Sequence, residues 1–168
     1  MQVACSLACS VLVADAVRLK AERRAAVQER AKDRAKREDM KTLPKLRAEA
    51  QTAFNKYIRL RDTGLPCFDC GRPMEPNKLG GTVDCGHFLG RGAYPNLALE
   101  PDNAFAERKD CNMAGGATQE AKRIGAIARI GLLRVEMLER DQTPRRYRKD
   151  HYRALRDLYK IKLKELTP

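Results

Sequence analysis

The chain contains no tryptophan, and only five Tyr and four Phe in 168 residues. Aromatic side chains supply much of the buried area of a globular core. With so few of them, and with charged residues at 33%, a large dry core running the whole length is excluded. No apolar run approaches the roughly 18 residues needed to span a bilayer as a helix. The opening stretch "MQVACSLACSVLVADAV" lacks a positive leading region and carries Asp15 at the end of its apolar part, so it does not read as a signal peptide. The expectation is a cytoplasmic protein with no membrane contact. Six cysteines in a reducing compartment then point to metal ligands or buried thiols before disulfides. Histidine is scarce as well: there are two.

Acidic residues fall short of basic ones by 22 to 34, which leaves a formal net charge of +12 and a pI near 9.7. A cationic surplus of this size argues for a polyanionic partner, because phosphates bind such a surface with release of counterions. The alternative is that charge runs keep helix faces solvated. The surplus sits at both ends, with twelve basic against seven acidic residues in the first fifty.

The length fits one modest domain with an extension. From about Ser10 to Met40 the chain is Ala, Arg, Lys, Glu and Asp without Gly or Pro, which predicts a long exposed helix. It lacks a sustained apolar seam, so a solvated arm is expected ahead of a stable coiled coil. Pro44 suits a first helical turn. Leu46, Ala50, Ala53, Phe54, Tyr57 and Ile58 then recur at spacings of three and four, which predicts a helix that packs on the compact domain and ends at Gly64. Between Leu65 and about Leu99 the Gly, Pro and Asn content, with patches such as Thr82-Val83 and Phe88-Leu89, predicts short strands joined by turns. Helical patterns return after Cys111, with a break at Gly131. A final basic helix from about Lys149 to Leu166 is expected to turn Leu155, Leu158, Tyr159 and Leu166 inward.

Cys67-Phe68-Asp69-Cys70-Gly71 is a C-x-x-C followed by Gly, the pattern of a knuckle in which two thiolates reach one tetrahedral zinc. A redox motif would need a βαβ context that this region does not offer. The second half of such a site, a C-x-x-C opening a helix, is expected near "ERKDCN", where Cys111 is present and Arg108 stands three residues earlier. Cys85, Asp110 and Glu107 are the candidates for a fourth ligand. The competing reading is three buried thiols without an ion. Between these halves lies Asp84-x-x-His87, and Asn112 follows Cys111 directly. A carboxylate and an amide oxygen suit a hard divalent ion, and a neutral imidazole can accept a proton from water. Phosphodiester hydrolysis needs those parts. Asp84 and His87 serving only as hydrogen-bonding partners within a strand pair is the plain alternative.

The run "FNKYIRLRDTGLPCFDCGRP", followed in order by "DCGHFLGRGAYPNLALEPDN", "CN", "RIGLLRVEMLE" and "DQTPRRY", resembles the NinG (Rap) recombination proteins of lambda-like phages over roughly residues 44 to 166. The DxxH and Cys-Asn elements are also similar to those of phage endonuclease VII, a Holliday-junction resolvase with an HNH-type, zinc-stabilised ββα-metal site. The resemblance implies that His87 is the general base and that Asp84 and Asn112 hold Mg²⁺ or Mn²⁺. Asn103 becomes the central Asn that ties a loop to the hairpin and orients the base, and Cys67, Cys70 and Cys111 become zinc ligands. The implied activity is structure-directed cleavage of branched DNA in the host bacterial cytoplasm. Its implied partners are a phage recombinase and a second copy of the chain. Three departures stand out: Arg108 at a zinc-cysteine position, Phe105 for a usual His, and Gly116-Ala117-Thr118 for a usual Ser-Gly-Asn. Cys5-x-x-x-Cys9 matches the second half of a separate small cysteine site found in many members. With its first half missing, the start reads as a truncation or a late start codon, and two free thiols at a frayed terminus are expected.

The expected fold class is therefore α+β: a small zinc-stabilised ββα-metal (HNH, treble-clef-like) core flanked by helices, with a long N-terminal helix. Residues 1–43 form a basic arm with the cysteine motif, 44–64 a packing helix, 65–125 the nuclease core and 126–168 basic helices. Arg91 and the Arg145, Arg146, Arg148 cluster are the candidate phosphate contacts. The rival function is a junction-binding module that does not cut.

Overall fold

The computed structural model describes residues 6–74, 82–113 and 116–167. Cys5 of the first cysteine pair lies outside these residues. The chain divides into two compact units, Met1–Thr42 and Leu43–Pro168. The first is helix α1, Leu7–Asp39, which starts where the Ser6 side chain accepts a hydrogen bond from the Cys9 amide at 3.2 Å. At 1.5 Å per residue it is about 50 Å long, and none of its residues is buried. Ion pairs such as Arg18 with Asp15 at 3.2 Å run along its exposed surface. Pairs of that kind contribute only a few tenths of a kcal/mol, so helix propensity carries α1.

In the second unit, α2 (Leu43–Arg61) buries Leu46, Ala50, Ala53, Phe54 and Ile58, the stripe that its sequence period predicts. Gly64, at φ 84, takes the left-handed conformation just beyond its end. Two five-residue strands follow, β1 (Val83–His87) and β2 (Ala104–Arg108), paired antiparallel with Asp84 opposite Glu107 and His87 opposite Ala104. Phe88-Leu89 lies beyond β1, and the second strand falls later than the Gly-rich stretch in which strands were expected. Between the strands run two single 3₁₀ turns, Pro95–Leu97 and Pro101–Asn103. Helices α3 (Gln119–Ile130) and α4 (Leu132–Arg140) meet at Gly131, φ 80, and α5 (Lys149–Glu165) closes the chain.

The hairpin separates two cores. Ala50, Ala53, Phe54 and Ile58 of α2 pack with Leu99, Ala104 and Tyr159, with Cys85, Tyr152 and Leu155 against them. Phe68, Phe88, Leu89, Leu97 and Phe105 pack with Ala126 of α3 and with Val135 and Leu138 of α4. Each fully buried Phe or Leu contributes about 1.5–3 kcal/mol by removal from water. On α5 the inward face is shorter than the sequence period suggests: Leu158 and Leu166 are exposed, while Arg156 and Tyr159 are the buried residues. Arg156 is held there by Glu49 at 3.0 Å, and the Tyr159 hydroxyl donates to the Leu99 carbonyl at 3.0 Å.

Among the described residues, no helix is long and apolar enough to cross a membrane.

Candidate functional site

The knuckle forms because Gly71, at φ 68, lets the chain fold back on itself. Its amide donates to the Cys67 carbonyl at 2.9 Å, and the Cys67 amide donates to the Arg72 carbonyl at 2.9 Å. This brings Cys67 and Cys70 to Cys111, and the three sulfurs lie within 4.8 Å of one another. Cys70 and Cys111 Sγ are 3.5 Å apart, far beyond a disulfide bond and near the sulfur spacing of about 3.8 Å that tetrahedral zinc with 2.3 Å bonds requires. The donor set fits zinc. Arg72 donates to Cys70 Sγ at 3.3 Å and the Arg108 amide donates to Cys67 Sγ at 3.3 Å. Burial pushes the Cys70 thiol up, but the Arg72 hydrogen bonds outweigh it and bring the thiol down to about 7. Three thiolates on a divalent ion carry one net negative charge, which the Arg72 guanidinium complements.

None of the three fourth-ligand candidates joins the thiols. Cys85 points to the opposite core, because alternate residues of a strand face opposite ways, and it packs against the α2 cluster, where burial pushes its thiol up to about 12. Cys85 is therefore corrected from possible zinc ligand to packed thiol. Asp110 is held by Arg72 at 3.2 Å and Arg108 at 3.0 Å. Glu107 is fully buried, with Lys122 Nζ 3.7 Å away. Nor does a helix open at Cys111. The chain there turns, and α3 begins eight residues later, where the Thr118 hydroxyl accepts from the Ala121 amide at 3.2 Å.

Asp84 and Asn112 do meet, with Asn112 Nδ2 donating to Asp84 Oδ2 at 3.2 Å. They share the zinc-side face of the hairpin with Gly86 and Glu107. A Cβ at Gly86 would collide with the Glu107 carboxylate. Burial first, and then the neighbouring Asp69 and Asp84 carboxylates, push Glu107 up to about 9 against the pull of Lys122. It therefore carries a proton at neutral pH.

His87 is three residues from Asp84, so on a strand its side chain points the other way. It lies in the α2-side core, 6.2 Å from the Phe54 ring, with Nε2 3.1 Å from the Ala98 carbonyl oxygen. A carbonyl only accepts, so Nε2 carries the proton and Nδ1 is the bare, basic nitrogen. Burial holds its pKa down to about 4, helped by the charges of Arg91 and Lys122 and opposed by the Ala98 hydrogen bond. The imidazole is neutral at physiological pH. Asn103, fully buried, fixes the loop beside it: its Nδ2 donates to the Leu89 and Leu97 carbonyls at 3.0 and 3.1 Å, and its Oδ1 accepts from the Leu89 amide at 2.8 Å.

The candidate phosphate contacts differ among themselves. Arg145 is paired with Asp141 at 2.7 Å and Glu100 at 3.8 Å. Arg146 and Arg148 are exposed on the segment before α5, where the Arg148 amide donates to His151 Nδ1 at 3.1 Å. Arg91 is exposed in the turn that follows Gly90.

A family model described as Bacteriophage Lambda NinG protein matches residues 1–168. The chain belongs to the NinG family. It is 31% identical to protein ninG of Salmonella phage P22 over 118 residues, 70% of this chain and 56% of that one. To protein ninG of Escherichia phage lambda it is 30% identical over 118 residues, 70% of this chain and 55% of that one. The chain thus spans about half the length of these curated relatives. No solved structure matches it.

In this NinG-family chain, the Arg61-Asp62 pair goes unnoticed in the sequence because it reads as ordinary helix-end charge. Asp62 is buried and accepts from the Ala106 amide at 2.8 Å, satisfying the outer edge of β2 in place of a third strand. Arg61 binds Asp62 at 2.6 Å and the Pro101 and Ala104 carbonyls at 3.0 and 2.8 Å. The pair fastens α2 to the hairpin. Its one sequence signal is an Arg-Asp step just past the end of an apolar stripe.

Proposed function

We propose that this NinG-family protein is an HNH-type endodeoxyribonuclease of phage recombination, cutting branched DNA such as a Holliday junction or D-loop in the host cytoplasm. The observation that carries the reading is the arrangement around His87. A neutral imidazole of fixed tautomer, at the end of β1 beside a loop locked by the buried Asn103, can accept a proton as a general base does. Zinc on Cys67, Cys70 and Cys111 would hold the knuckle against β2, as a structural ion. A phage recombinase and a second copy of the chain are the expected partners, the latter because a four-way junction has two-fold symmetry.

The catalytic Mg²⁺ or Mn²⁺ belongs, on the same reading, to Asp84 and Asn112, which offer hard oxygen ligands. The Asp84-Asn112 pair and the His87 imidazole lie on opposite faces of the hairpin. That same observation favours a second reading, a module that binds junctions and assists recombination without cutting.

The two separate in one assay. Purified protein is incubated with a labelled four-way junction and Mg²⁺ or Mn²⁺, beside His87→Ala and Asp84→Ala. Cleavage by wild type, abolished in His87→Ala, is expected. Tight binding with no cleavage by any of the three would sink the nuclease reading and leave the module. Equal cleavage by His87→Ala would remove the imidazole from the base role.

A further inference from the structure

On the α2 side of the hairpin, α2, the turn after Gly90 and α5 enclose a concavity of about 420 Å³. Its size falls in the range of small-ligand sites. Arg47 and Arg91 project from two of its walls, Tyr152 and Ala48 contribute others, and no acidic residue lines it. Elsewhere in the second unit, Arg61, Arg134, Arg145, Arg153 and Arg156 each have a carboxylate partner within 3.0 Å. Arg47 and Arg91 are exposed, and among the described residues neither has an ion-pair partner. Two like charges lining one hollow, with no acidic side chain in that lining to compensate them, give it a positive potential that attracts an anion.

The floor connects to His87. Gln51, which lines the concavity, donates from Nε2 to the Ala98 carbonyl at 3.3 Å, the same oxygen that His87 Nε2 reaches at 3.1 Å. One carbonyl thus links the base of the hollow to the imidazole.

We infer that this concavity is the phosphodiester-binding site of the protein. A DNA strand enters between Arg47 and Arg91, each neutralising one backbone phosphate, and passes over the Gln51 floor on the His87 side of the hairpin. Naming the anion as DNA rests on the reading given above; the anion site itself rests on the two unpaired arginines. Phosphate contacts of this kind position a strand without reading its sequence.

The test is binding of a fluorescent four-way junction to the full chain in EDTA, followed by anisotropy across a salt series. Each phosphate contact contributes about 0.9 to the slope of log K against log salt. Arg47→Ala/Arg91→Ala is expected to lower that slope by about 2 and to weaken binding equally for junctions of different sequence. The charge-matched Lys160→Ala/Lys164→Ala, on exposed residues of α5, should lower it by clearly less. Ala48→Glu keeps both arginines and puts an acid in the lining, and it should weaken binding as well. Arg47, Ala48 and Arg91 are all exposed, so the thermal midpoints should match wild type. A slope for the arginine pair equal to wild type, or a loss no larger than that of the lysine pair, overturns the inference. The outcomes separate from those of the cleavage assay. A wild type that cuts junctions while the arginine pair binds normally refutes this site and leaves the nuclease reading. Lost binding in the pair beside a wild type that never cuts does the reverse.

Discussion

One face of the hairpin turns Cys85, His87, Ala104 and Ala106 toward α2 and α5; the other turns Asp84, Gly86, Phe105 and Glu107 toward the knuckle and α3. The first is sealed by a continuous apolar stripe and keeps its one titratable base neutral by burial. The second packs Phe105 into the cluster formed with α3 and α4. It collects three cysteines, a protonated Glu107 and an Asp84-Asn112 contact. Packing alone holds the first face, and ligation should add to packing on the second. The contrast implies that the faces fail under different insults.

The largest effect should come from removing the metal. Structural zinc contributes on the order of 10 kcal/mol in small zinc domains, more than any single side chain here. Chelation or Cys67→Ser is expected to abolish the cooperative thermal transition, and elemental analysis of the wild type should find one zinc per chain. A zinc-free protein whose melting is indifferent to EDTA would show that the second face is held by packing after all.

Next comes Phe54→Ala, at about 3–5 kcal/mol by denaturant melting, because Phe54 is fully buried and meets Tyr159 edge-on with ring centroids 5.0 Å apart. Zinc content should be unchanged in this variant. Loss of the ion along with the packing would mean that the two faces form one cooperative unit. Asn103→Ala should cost about 2–4 kcal/mol, since it strands a buried amide and two carbonyls in a loop shared by both faces. On the metal side, Gly125→Ala should cost about 1–3 kcal/mol, because a Cβ there would collide with the Phe68 carbonyl of the knuckle. Gly92→Ala, which meets nothing within 4 Å, is its control.

How much of this is legible in the sequence depends on the period involved. The stripe of α2, from Leu46 to Ile58, repeats over more than three turns and survives, because helical spacing fixes which residues share a face. Gly131 reads correctly as a break because nothing else fits φ 80 so cheaply. The D-x-x-H pattern is visible but its geometry is not. A separation of three brings residues together on a helix and drives them apart on a strand, and β1 runs through all four positions. The same parity removes Cys85 from the thiols. β2 escapes notice because "AFAER" alternates only weakly and follows two 3₁₀ turns. The pairing of Arg145, and the freedom of Arg47 and Arg91, depend on which chain segments lie alongside them, and local sequence does not encode that.

A pH series sets the electrostatics of the two faces against each other. His87 has a folded pKa near 4 against about 6.5 in an unfolded chain, so between those values the unfolded state binds more protons. Its contribution to stability is complete above about 6.5 and is lost as pH falls toward 4. Glu107 has the opposite sign: with its folded pKa raised to about 9, its contribution is complete below the ordinary carboxylate range and is lost as pH rises toward 9. From pH 4.5 to 6.5 the two slopes oppose, and the wild-type profile should be shallow there. His87→Gln keeps a donor for the Ala98 carbonyl and removes one slope. Its stability should decline steadily from pH 4.5 to 6.5, diverging from wild type by about 2 kcal/mol across that window. Parallel profiles for the two proteins would mean that His87 takes up its proton as readily folded as unfolded. A base so accessible would not be sealed by the α2 face, and the contrast between the two sides of the hairpin would then rest on the metal alone.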